Sequence, residues 1–153
     1  MTPMLIEALR EPRSVSGLPP PALAVLVAQA RTTNLLAALG HRLEAAGILE
    51  GILPEAGRHF RSAMLAQEKQ QRDLAHELSH LVRVFDALGE PLVLLKGAAY
   101  IAAGLDCSRG RLISDLDLLV REAAIDRAEQ ALQSAGWEGV KQEAYDDRYY
   151  RRW

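Results

Sequence analysis

Up to residue 88 the apolar residues of this chain recur at helical spacing. Beyond it they arrive in a short unbroken run, LVLL at 92–95 before Lys96-Gly97, and in DLDLLV at 115–120, which reads as a second strand. A run that is apolar at every position suits a strand covered on both faces, whereas a stripe every three to four residues suits one face of a helix. The change of period predicts an α+β chain, with a helical region over residues 1–88 and a sheet-containing core over 89–153.

Within the helical region, residues 11–21 (EPRSVSGLPPP) read as a loop. Apolar spacing predicts helices over 22–30 and 33–46, the second broken at Gly47. Pro54 and Gly57 mark a turn, and a long helix follows over 59–88. Its apolar stripe is Phe60, Met64, Leu74, Leu78, Leu81, Phe85 and Leu88, and it ends at ALGEP. In the core, a short helix is expected over 98–105 and a polar loop, DCSRGR, over 106–111. A further helix over 121–137 should turn Ile125, Ala128, Leu132 and Ala135 inward and stop at Gly136. The tail from Glu138 onward has the look of a third strand that begins and then stops. No internal repeat is present.

With 49% hydrophobic and 25% charged residues, the composition is that of a globular domain. A formal net charge of −2 gives no electrostatic footprint for nucleic acid. No apolar run approaches a membrane span, and no leader segment is recognisable at the start. The single cysteine, Cys107, rules out an internal disulfide framework and suits the cytoplasm. A sheet edge left without a partner would favour a homo-oligomer.

Residues 76–80, His-Glu-Leu-Ser-His, match the zinc-protease pattern H-E-x-x-H letter for letter. Histidines four apart do share a helix face. Here that face lies opposite the stripe of Leu74, Leu78 and Leu81, with Lys69, Asp73 and Arg83, and catalytic zinc needs a shaped, partly dry cavity. It also needs a third protein ligand. No histidine follows His80, and Glu122 opens what reads as the helix after a strand. The match is read as a coincidence on a solvated face.

The chemistry concentrates elsewhere. On a strand, Asp115 and Asp117 would share a face while Leu116, Leu118 and Val120 take the other, with the aspartate Cα atoms roughly 6.5–7 Å apart. Two carboxylates this close repel unless a cation balances them, and a hard divalent ion such as Mg²⁺ does so with oxygen ligands. The plainer alternative is a strand edge with two solvated aspartates. Upstream, a strand ends in Lys96-Gly97-Ala98 and passes into a helix. Backbone N–H groups at Gly97 and Ala98 could face a phosphate, and Lys96 could add a point charge or simply snorkel from the strand. Arg109 and Arg111 lie in the loop just before the aspartates. The lysine strand of protein kinases is set aside, since no glycine-rich loop precedes it and no H-R-D follows.

The stretch from Leu92 to Val120 resembles the polymerase-beta-type nucleotidyltransferase superfamily. In particular it is similar to an uncharacterised bacterial nucleotidyltransferase-like family that carries Leu-Leu-Lys-Gly and then an arginine-led D-x-D strand. The resemblance covers about residues 22–153. It implies a partial polymerase-beta-like mixed-sheet core and transfer of a nucleoside monophosphate from a nucleoside triphosphate to an acceptor that the sequence does not name. It also implies Mg²⁺ or Mn²⁺ held by Asp115 and Asp117, with Gly97 on the phosphate side and Lys96 and Arg111 at the family's own basic positions. Three departures accompany it. Ala98 stands where the superfamily usually has a serine, and the span from Gly97 to Asp115 is longer than in its better-studied members. The superfamily's third carboxylate would have to come from Glu143, Asp146 or Asp147, in a tail that reads as cut short. The alternative is a catalytically incomplete fold that binds nucleotide or protein.

Overall fold

The computed structural model describes residues 4–139. The expected third strand and the three candidate carboxylates of the tail lie outside them. The described residues are α+β with helix predominating, and they divide into two compact bodies interleaved along the chain. One comprises 4–73 with 100–114, the other 74–99 with 115–139.

The first body is helical. It opens with α1 (Met4–Arg10), which the sequence reading did not anticipate; Leu5 and Ala8, three apart, are its buried positions. Its carbonyl end is held by the Arg42 guanidinium, which donates to Leu9 O at 2.7 Å. A 3-10 turn, Pro12–Val15, then interrupts the expected loop and buries Val15. Helix α2 (Pro20–Thr32) has proline in its first turn, where the missing N–H costs nothing. Helix α3 (Leu36–Ala45) ends at Gly47, whose φ of 72° lets Ile48 N–H reach Leu43 O and Gly47 N–H reach Glu44 O.

Helix α4 (Pro54–Leu88) begins five residues earlier than expected, because Pro54 serves as a first-turn residue rather than as a turn breaker. Phe60 and Met64 from α4 join Leu26, Leu39 and Leu43 in the core of the first body. Full burial of a side chain such as Phe60 contributes about 2–3 kcal/mol. Gln67 falls on the same stripe and is buried; its Oε1 lies 3.0 Å from His41 Nε2.

The second body holds the end of α4 and both strands. Gly89 stops α4 with the same cap as Gly47, Glu90 N–H reaching back to Phe85 O. Strand β1 (Val93–Leu94) pairs antiparallel with β2 (Leu118–Leu119), Val93 opposite Leu119 and Leu94 opposite Leu118. The expected fully buried strand is instead short and half-exposed, with Val93 at 39% and Leu95 at 37%. Among the described residues each strand has one partner, so nothing doubles the cover. A 3-10 turn, Glu122–Ala124, buries Ala124, and helix α6 (Ile125–Ser134) after it buries Ala128. Ala135, expected inward, is exposed, because α6 already ends at Ser134 and its cap at Gly136 turns the chain away. No described helix is long and apolar enough to cross a membrane.

Candidate functional site

The antiparallel register continues one step past β1, with Leu95 N–H donating to Asp117 O at 2.9 Å. At the next residue the chain leaves the ladder. Lys96 adopts φ +52° and becomes the first residue of α5 (Lys96–Ala102), and that departure ends the pairing before Asp115. Asp115 and Asp117 were expected within a strand over 115–120. They stand instead on the approach to β2, because the partner strand has already turned into α5.

The turn at Lys96 sends its side chain back toward the residue just paired. Lys96 Nζ donates to Asp117 Oδ1 at 2.9 Å, with the lysine side chain 67% exposed and the aspartate 23%. Two residues that the sequence singled out separately, 21 positions apart, therefore form one ion pair across the ladder. Gly97 and Ala98 follow directly as the buried first turn of α5. The first N–H groups of a helix have no acceptor within it. Asp115, two residues before Asp117, is exposed.

Arg111 belongs to the first body, where its guanidinium carbon sits 5.7 Å from the Tyr100 ring centroid, within cation–π range. The loop carrying it is pinned at two points. Gly110, at φ +76°, presses so closely on α3 that a Cβ there would meet Ala38 Cα at 2.3 Å. Gln70 on α4 brackets Ile113, its Nε2 donating to Ile113 O at 2.7 Å and its Oε1 accepting from Ile113 N–H at 3.0 Å. A glutamine in a helix carries no sequence signal for such a role, and the reading missed it.

Glu90 was missed too. Its carboxylate, 3% exposed, is clamped by Arg121 at 2.7 Å on one oxygen and Arg127 at 2.7 Å on the other. The clamp joins the end of α4 to the segment after β2 and to α6. A charged residue wedged between Gly89 and Pro91 was the available hint.

The H-E-x-x-H residues are otherwise engaged. Glu77 accepts a 2.6 Å hydrogen bond from Trp137 Nε1, and the His76 and His80 rings meet edge to face at 4.6 Å. Among the described residues no three His, Cys, Asp or Glu side chains gather as a metal site.

A family model described as "Uncharacterised nucleotidyltransferase" matches residues 21–152. Neither the curated proteins nor the solved structures contain a match to the chain.

Proposed function

The chain belongs to that uncharacterised nucleotidyltransferase family, and on this premise we propose that it moves a nucleoside monophosphate from a nucleoside triphosphate to an acceptor. Its general kind is nucleotidyltransferase; the division of labour below is our reading. The sheet-bearing part of the chain, from residue 89 onward, is read as a polymerase-beta-like core.

The donor set fits a hard divalent ion. Asp115 and Asp117 offer carboxylate oxygens two residues apart, and Asp117 already draws a cation to 2.9 Å. When bound, Mg²⁺ or Mn²⁺ would polarise the phosphate oxygens and stabilise charge at the leaving group. Lys96 contributes an ammonium for the triphosphate. Gly97 admits phosphate close to the backbone, where its N–H and that of Ala98 can donate. Phosphoryl chemistry depends mainly on such positioning and charge stabilisation. The observation that carries this reading is the Lys96–Asp117 pair, because it unites the family's basic and acidic motifs in one place.

Binding tests it. With Mg²⁺ present, Asp115→Asn with Asp117→Asn should weaken nucleoside triphosphate binding by about tenfold or more, the weight of one charged contact. In chelator the same change should matter little. Equal affinity of the two proteins in Mg²⁺ would refute the site. A second reading, a nucleotide-binding module without transfer, is favoured by the two-carboxylate set among the described residues. Binding without transfer would select it.

A further inference from the structure

In the proposed site the Lys96 ammonium, which stands on the Asp117 carboxylate, has the triphosphate as a further anion to pair with. We propose that the Lys96 ammonium is a resident stand-in for the metal, neutralising Asp117 until nucleotide arrives. On nucleotide binding Lys96 would leave Asp117 for phosphate, and the carboxylate would then be open to hold a divalent ion. This rests on the nucleotide reading above and adds an order to it.

Three observations support the exchange. The ammonium contacts Asp117 Oδ1 itself, an oxygen that the metal would need. The pair is weakly held, because the lysine side chain is 67% exposed and an exposed ion pair gains little over its hydrated parts. The backbone that aims it is unusual: φ +52° at a lysine is a conformation that persists only where its surroundings over-determine it. Here the ladder bond from Leu95 N–H to Asp117 O fixes one side and the start of α5 the other. The elbow is set by the fold, while the side chain beyond it has four rotatable carbons. A metal arriving alone must expel the ammonium into water. A metal–nucleotide complex brings the ammonium a new acceptor.

Free Mn²⁺ measured by electron paramagnetic resonance on the full chain, with and without a non-hydrolysable nucleoside triphosphate analogue, reads this directly. Lys96→Met and Lys96→Gln should each bind Mn²⁺ alone about tenfold more tightly than wild type, and should gain less on addition of the analogue, a coupling of ordinary size. Asp117→Asn should lose Mn²⁺ in both conditions. Unchanged or weaker binding of Mn²⁺ alone by both lysine variants, with Asp117→Asn still defective, would overturn the stand-in role and leave the nucleotide site standing. An Asp117→Asn protein indistinguishable from wild type throughout would overturn both. The wild-type chain gives a reading independent of any variant's folding. Its Lys96 Nζ resonance should shift when analogue and Mg²⁺ are added together, and a resonance that stays fixed contradicts the exchange.

Discussion

Lys96 occupies a left-handed conformation that costs an L-residue about 1–2 kcal/mol. Its ion pair with Asp117, largely exposed on the lysine side, returns less than about 1 kcal/mol. Glycine relieves the backbone and alanine does not, so Lys96→Gly should be more stable than Lys96→Ala by about 1 kcal/mol in urea titration. Both should bind nucleotide less well than wild type. Equal stability of the two would show that the elbow relaxes and stores no strain. His76 and His80 make the opposite case. Replacing both with alanine should leave nucleotide affinity and metal content unchanged, because Glu77 is committed to Trp137 rather than to a metal. At this scale the sequence singled out Lys96 and Asp117 separately, and the structure brings them into one ion pair. The sequence was silent where a side chain's role depends on a distant neighbour, as with Glu90 and Gln70.

Elements differ in how openly the sequence announces them. Helix ends at Gly47, Gly89 and Gly136 were legible because each requires a positive φ that glycine adopts freely. The start of α4 was not, since a proline serves equally as a turn residue or as the first residue of a helix. The strands were legible in kind and not in extent: a two-residue ladder ends where Lys96 turns, a geometric event that composition does not encode. Two predictions belong here. Gly110→Ala places a methyl group against the α3 backbone at positive φ, and should cost the first body about 3 kcal/mol, read by chemical denaturation. In the clamp on Glu90 either arginine can partly cover for the other, so Arg121→Ala and Arg127→Ala should each cost about 1 kcal/mol. Together they leave a buried carboxylate without a partner and should cost about 3–5 kcal/mol, more than their sum. Additive losses in that double-mutant cycle would show that Glu90 rehydrates when released.

For the molecule as a whole, the change of period near residue 88 predicted an α+β chain, and among the described residues helix predominates. The bodies themselves follow a different logic from chain order, because α4 runs through both and residues 100–114 return to the first. Such interleaving comes from long-range packing and leaves no mark on local periodicity. The general kind, nucleotidyltransferase, was legible because the family's motif set is compact, and the family match over residues 21–152 agrees with it. The central claim is nucleotidyl transfer that depends on Asp115 and Asp117. The most direct measurement supplies the chain with Mg²⁺ or Mn²⁺, cell extract as acceptor, and each nucleoside triphosphate labelled at either the α or the γ phosphate. The account predicts label passing from the α position and not from the γ position, and lost in Asp115→Asn with Asp117→Asn. Transfer from the γ position, or α-label transfer that survives loss of both aspartates, would contradict it.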